Sequence, residues 1–343
     1  MLYVGIYGWD GEVVANLARG GGGADSIYGA AGPDRLFGDD GEDYIDGWRG
    51  DDVLDGGAGK DSLYGGTGAN IIYGGDGDDH IDDEGYGSYI EGGSGNDRVA
   101  VYLGSQVFGG GGDDSIYLER SYSAYNGNIL VTGIEPGEGK DYVVIYDQRG
   151  PVVINLREDV QVSDKISIGI VDGEVPRVVV NDFKFGVDAF SIDLFQSYGS
   201  SSYYYGWSDV PSQNDWWTGA VIISYIQFLS SPSQAYLTPA QTPRTKDDYG
   251  KGIFVITGGS VAQSDTATVA AFLDAYGNNA TYGNKAVHYF FVNVGTQDMA
   301  LYRFQDDTGA DNRVVADELQ PVAIFAGVRT ESLTELDLIK SLY

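Results

Sequence analysis

The sequence predicts a mainly β protein. A long coil of short strands and glycine-rich turns comes first, then further sheet, then a smaller β-rich α+β domain at the C-terminus. Three observations carry this expectation. Residues 20–117 repeat with a nine-residue period, alternation with a period of two sets in from Pro151, and residues 265–277 carry the best helix signals.

From Gly20 the chain reads GGGGADSIY, GAAGPDRLF, GDDGEDYID, GWRGDDVLD, GGAGKDSLY, GGTGANIIY and GGDGDDHID. A degenerate unit follows (DEGYGSYIE), then GGSGNDRVA, the shorter VYLGSQVF, and GGGGDDSIY. Eight units keep glycine at position four and aspartate at position six. The glycine-rich half of each unit can take turn conformations closed to residues with a Cβ. The last three residues make a short strand whose middle side chain points inward: Ile27, Leu36, Ile45, Leu54, Leu63, Ile72, Ile81, Ile90, Val99 and Ile116. A flexible Gly/Ser linker has no reason to place an aliphatic residue every nine positions. Turn carbonyls together with a carboxylate are the oxygen donors that calcium takes, roughly six to eight at a time.

These units match the pattern G-G-x-G-x-D-x-U-x, and the region resembles the RTX family of calcium-binding repeat proteins. The resemblance implies a right-handed parallel β-roll in which two units make one turn, so that the aspartates alternate between two edges. The first edge then carries Asp25, Asp43, Asp61, Asp79, Asp97 and Asp114 without a gap. The second begins with Asp34 and Asp52 and continues through Asn70, Ser88 and Gln106, so calcium should be lost part-way along it. The ligand set implied comprises the first-edge aspartates, Asp34, Asp52 and Asn70. Main-chain oxygens join them from Gly38 and Asp40, Gly56 and Ala58, Gly74 and Asp76, and Gly92 and Ser94.

Charge supports an ion-dependent fold. The chain of 343 residues has 20 Lys and Arg against 51 Asp and Glu, a net charge of −31. Self-repulsion of that size opposes compaction until counter-ions bind, so the repeat region is expected to be largely unfolded without calcium. With no basic patch to meet phosphates, nucleic acid is not an expected partner. The absence of cysteine excludes disulfides, Cys-based zinc sites and thiol nucleophiles. The start, MLYVGIYGWDGEVV, lacks the marks of a cleavable signal peptide, and no stretch approaches the roughly 20 apolar residues of a membrane span. By resemblance this points to export by a type I system, with LTELDLIKSLY at the end as the export signal.

Taken in order, residues 1–19 are expected to cap the roll with one or two strands, and residues 20–117 to form the roll itself. Residues 118–196 hold a fading repeat and closing strands. There Gly137, Gly139, Asp141 and Val143 keep the unit's spacing, and Asp141 is either a late calcium ligand or a turn residue. Residues 197–250 bring Tyr203, Tyr204, Tyr205, Trp207, Trp216 and Trp217 close together, as a subunit interface, a glycan-stacking surface or a packed loop. AVIISYIQFL, within that segment, reads as core. Residues 251–343 read as a C-terminal domain resembling the export domains of RTX and surface-layer-type secreted proteins, with a helix over DTATVAAFLDAYG capped by Asp265 or Thr266. Within it Asp307, Asp311 and Glu318 take three of the oxygen-ligand positions of a calcium loop. Gly309 and Asn312 depart from that pattern, and an acidic hairpin loop is the competing reading.

No catalytic motif accompanies these features. H-E-x-x-H and G-x-S-x-G are both missing, and the two histidines, His80 and His288, stand far apart. The expectation is a non-enzymatic, calcium-dependent extracellular protein that assembles with itself as a surface layer or filament. A secreted adhesin or glycan-binding module is the alternative.

Overall fold

A computed structural model describes residues 2–3, 15–119, 131–146, 150–157, 162–171, 177–184, 187–195, 225–229, 252–262, 264–276, 287–305 and 314–330. The chain forms two compact units, Met1–Ser167 with Pro176–Phe190, and Ile168–Val175 with Ser191–Tyr343.

The first unit is a coil of strands. In order these are β1 (Leu2–Tyr3), β2 (Leu17–Gly22), β3 (Ser26–Tyr28), β4 (Arg35–Asp40), β5 (Tyr44–Asp46) and β6 (Val53–Ala58). Next come β7 (Ser62–Tyr64), β8 (Ile71–Asp76), β9 (His80–Asp83), β10 (Tyr89–Ser94), β11 (Arg98–Val101) and β12 (Gln106–Gly111). The coil continues through β13 (Ser115–Leu118), β14 (Thr132–Glu138), β15 (Tyr142–Ile145), β16 (Pro151–Asn155), β17 (Lys165–Val171), β18 (Arg177–Asn181) and β19 (Ala189–Phe195), of which β17 from Ile168 and β19 from Ser191 count with the second unit. Odd-numbered strands lie side by side in one sheet and even-numbered strands in a second. Neighbours pair in parallel, Ile27 with Ile45 and Leu36 with Leu54. Alternation between sheets is what two nine-residue units per turn must give, since residue i then meets residue i+18.

The middle strand residues fill the space between the sheets. All ten expected inward side chains are fully buried, as are Val107, Ile134 and Ile154. Each such aliphatic side chain contributes about 1.5–3 kcal/mol by leaving water. Odd strands within the repeats begin at three residues, as the spacing predicts, whereas even strands of the repeats run to six and continue into the next glycine turn. Ladder bonds cross the turns on both edges: Gly41 N–H donates to Ala58 O and Gly59 N–H to Asp76 O after the even strands, and Gly32 N–H to Arg49 O after the odd ones, all at 2.7 Å.

Two boundaries differ from the sequence reading. β2 is a rung of the second sheet rather than a cap strand, because Leu17 pairs with Arg35. The coil also does not give way to closing strands from Pro151, after the fading repeat. Ile116 pairs with Val143, Ile134 with Ile154 and Ile154 with Val180, so β14 to β18 are further rungs. Alternating apolar runs such as PVVIN satisfy a buried parallel strand as well as a closing one, and only pairing distinguishes them.

The second unit contains β20 (Tyr225–Leu229), β21 (Gly252–Val261), α1 (Thr266–Tyr276), β22 (Val287–Val294), β23 (Asp298–Gln305) and β24 (Leu319–Phe325). β20, β21 and β22 are parallel, and β22, β23 and β24 are antiparallel. β20 lies inside AVIISYIQFL, so this sheet begins well before residue 251. The helix starts where Asp265 Oδ1 accepts the N–H of Thr268 at 2.8 Å, which makes Asp265 rather than Thr266 its N-cap. Val269, Leu273, Phe290, Tyr302, Phe304 and Leu319 form its core. Among the described residues no helix is long and apolar enough to cross a membrane.

Candidate metal centre

Along the first edge the aspartates form a continuous ladder. Asp25 N–H donates to Asp43 Oδ1 at 2.7 Å and Asp43 N–H to Asp61 Oδ1 at 2.7 Å. Asp61 to Asp79, Asp79 to Asp97, and Asp97 to Asp114 follow at 2.8 Å. One carboxylate oxygen of each thus holds the neighbouring turn. The other has no such role: the Oδ2 atoms of Asp43, Asp61, Asp79, Asp97 and Asp114 are buried and accept no hydrogen bond. Buried acceptors without donors are expensive unless something else meets them.

What they face is defined by the position-one glycines, which have no Cβ to fill the space. A Cβ on Gly20 would stand 2.7 Å from Asp25 Oδ2 and 2.8 Å from Gly38 O. On Gly56 it would meet Asp61 Oδ2 and stand 2.6 Å from Gly74 O. On Gly74 it would stand 2.6 Å from Asp79 Oδ2 and also meet Gly92 O. Each glycine therefore opens a cradle where a carboxylate oxygen and a carbonyl oxygen converge. The position-three carbonyls of Asp40, Ala58, Asp76 and Ser94 lie on the same edge. They already accept ladder bonds at 2.7 Å from Gly23, Gly41, Gly59 and Gly77.

Without a cation these carboxyls resist ionisation. Burial pushes Asp79 up to about 7, Asp97 to about 6 and Asp114 to about 8, and neighbouring carboxylates add to the rise. Asp43 and Asp61 are raised for the same reason. Oxygen-only cradles with orphaned carboxylate atoms fit a hard cation such as calcium. Among the described residues no three Asp, Glu, His or Cys side chains converge, so main-chain carbonyls must supply much of any such donor set.

The second edge starts in the same way and then changes. Asp34 N–H donates to Asp52 Oδ1 at 2.8 Å, and Asp52 N–H to Asn70 Oδ1 at 2.9 Å. Asp52 Oδ2 is orphaned beside the cradle of Gly47, and burial pushes the carboxyl up to about 7. Asp34 Oδ2 instead accepts the N–H of Ala30 at 2.8 Å. Beyond Asn70 the slots hold Ser88 and then Ser105, not Gln106. Gln106 pairs with Tyr89, which sets the buried Ser105 opposite Ser88 and leaves Gln106 exposed. The residue missing from the eight-residue unit is lost from the turn, ahead of the aspartate slot.

The first-edge ladder runs further than the repeats. Asp114 N–H donates to Asp141 Oδ1 at 2.8 Å, Asp141 N–H to Asp164 Oδ1 at 3.0 Å, and Asp164 N–H to Asp188 Oδ1 at 3.4 Å. Asp141 is thus a ladder residue, and Pro136 occupies the register of Gly109, where the repeats have a position-one glycine. Asp164 and Asp188 escaped the sequence reading because they follow at intervals of 23 and 24 residues and lie in no glycine unit. The usable signal was the D-x-U ending of DKI, where Ile166 points inward.

Elsewhere, Glu318 lies immediately before β24 in the connection between antiparallel β23 and β24, which gives this stretch a hairpin setting rather than flanking helices. Asp307 and Asp311 fall outside the described residues, as do Tyr203, Tyr204, Tyr205, Trp207, Trp216, Trp217 and the terminal LTELDLIKSLY.

Fold and site together define a parallel β-roll with oxygen cradles along its edges. The family model described as RTX calcium-binding nonapeptide repeat (4 copies) matches residues 19–54, 55–82 and 106–120, less than a quarter of the chain. Over these residues the chain carries RTX calcium-binding repeats folded as a β-roll, repeats of a kind that bind calcium and suggest an extracellular protein. No curated protein and no solved structure matches the chain.

Proposed function

We propose that this is a non-enzymatic, calcium-gated structural protein, exported unfolded by a type I system and folded outside the cell. It then assembles with copies of itself into a surface layer or filament. The observation that carries the reading is the file of buried Oδ2 atoms on Asp43, Asp61, Asp79, Asp97 and Asp114, which accept no hydrogen bond. Calcium held by these aspartates and the facing carbonyls of Gly38, Gly56, Gly74 and Gly92 would neutralise them. Extracellular modules bind in the range of roughly 10⁻⁴–10⁻³ M, so external calcium fills such sites and cytoplasmic calcium does not.

A second reading, an adhesin that binds cell-surface glycans, draws support from a row of outward rings on the second sheet. Tyr73 and Tyr89 are 38% and 36% exposed, and Tyr89 lies 5.3 Å from Phe108 between ring centres. Negative-stain electron microscopy of calcium-free protein, before and after millimolar calcium, separates the two. Sheets or filaments formed only with calcium support the structural subunit. Separate folded particles refute self-assembly and favour the adhesin.

A further inference from the structure

On the second edge the repeat pattern breaks at two places that the fold brings together. Asn70 replaces the position-six aspartate, and Asp83 stands where a position-one glycine belongs, one full turn after Gly65. Asn70 Nδ2 donates to Asp83 Oδ1 at 2.6 Å, and both residues are only 1% exposed. The orientation of the amide is fixed by the ladder, because Asn70 Oδ1 accepts the N–H of Asp52 at 2.9 Å. Reversing it would set two donors against each other at Asp52 and two acceptors at Asp83. An N–H group therefore occupies the place where the other ladder aspartates present Oδ2.

The cradle beside Gly65 shows the consequence. At Gly47, one turn earlier, a Cβ would stand 2.7 Å from Asp52 Oδ2 and 2.9 Å from Gly65 O, a pair of acceptors. At Gly65 it would stand 2.9 Å from Asn70 Nδ2 and meet Asp83 Oδ1, a donor and an acceptor that satisfy each other. Ser88, the next position-six residue, accepts the N–H of Asn70 at 3.0 Å and brings no charge. The pair of oxygens at Gly47 calls for a cation between them; at Gly65 the amide N–H already meets the one carboxylate oxygen that enters the cradle.

We infer that the second edge closes this turn without an ion, by an Asn70–Asp83 clasp that stands in for calcium. The second-edge ion file then ends at Asp52 while the first edge continues to Asp114. Asp83 is a positioning residue of the clasp and not a ligand, although its Oδ2 is buried and accepts no hydrogen bond, as in the ladder aspartates; that atom lies beside Gly85, not in the cradle of Gly65. This inference rests on the ion-file reading of the site.

The test is an ion count by native mass spectrometry on the full chain in millimolar calcium. Asp83→Asn keeps an acceptor for the Asn70 amide and should hold as many ions as the wild type. One ion fewer would show Asp83 to be a ligand and overturn the clasp. The double variant Asn70→Asp with Asp83→Gly restores the repeat motif and should hold one ion more; an unchanged count also overturns it. If either variant fails to fold, the count of the other decides. A wild-type chain with no bound ion would sink the ion-file reading itself, a result distinguishable from failure of the clasp alone.

Discussion

Replacing Asp79 by asparagine isolates one ligand of the ion file. The amide oxygen can still accept the N–H of Asp61, which Asp79 Oδ1 holds at 2.8 Å, so the rung is preserved. The buried Oδ2 beside Gly74 is exchanged for an N–H group, which repels a cation. Asn70 makes the same ladder bond through its amide oxygen, with Asp83 there to accept its N–H. An ion that binds only the folded state stabilises it by RT ln(1 + [L]/Kd), which is about 1.4 kcal/mol for each tenfold rise in free calcium above Kd. The slope of stability against log calcium therefore counts bound ions. Asp79→Asn should lower that slope by about 1.4 kcal/mol per decade for each ion lost, or about 2.7 kcal/mol at a hundredfold excess over Kd. Urea denaturation followed by circular dichroism, at several calcium concentrations, measures it. Parallel lines for wild type and variant, offset but of equal slope, would refute the assignment.

Three further outcomes are expected. Gly56→Ala places a methyl group 2.6 Å from Gly74 O and against Asp61 Oδ2, so it should raise the calcium needed for folding by at least tenfold. Gly22→Ala, where a Cβ would meet nothing within 4 Å, should leave the calcium titration unchanged. In calcium-free protein, desolvation raises Asp52 and Asp79 to about 7 and Asp114 to about 8, against an ordinary value of 3.8. The folded state then holds more protons than the unfolded one, so this contribution is complete below about pH 4 and is lost as pH rises through roughly 6 to 8. Circular dichroism in chelator should therefore show more folded protein at about pH 5 than at pH 8, and saturating calcium should remove that preference. Asp265→Ala deletes the helix N-cap bond to Thr268 and should cost about 1 kcal/mol, read from thermal unfolding of the second unit, with no change in calcium requirement.

The nine-residue period by itself selected the inward aliphatic set from Ile27 to Ile116 and the turn positions that must be glycine. The roll, and with it the division of aspartates between two edges, came from the resemblance of those units to RTX repeats, and strand pairing bears it out. These follow from local constraints: a carboxylate can recur on one edge only if the coil closes in a fixed number of residues, and a turn that exposes its carbonyls needs glycine. The sequence also named calcium, since turn oxygens with one carboxylate per unit suit few other cations. Pairing alone decided the rest. Asp164 and Asp188 joined the first-edge ladder because strand register, not spacing, aligns them, and Ser105 displaced Gln106 because a deletion can be absorbed anywhere in a turn. Asp83 and Asn70 lie in different units and read as two defects until the coil sets them 2.6 Å apart. A hydrogen bond between side chains from separate turns depends on three-dimensional closure, which no linear pattern records.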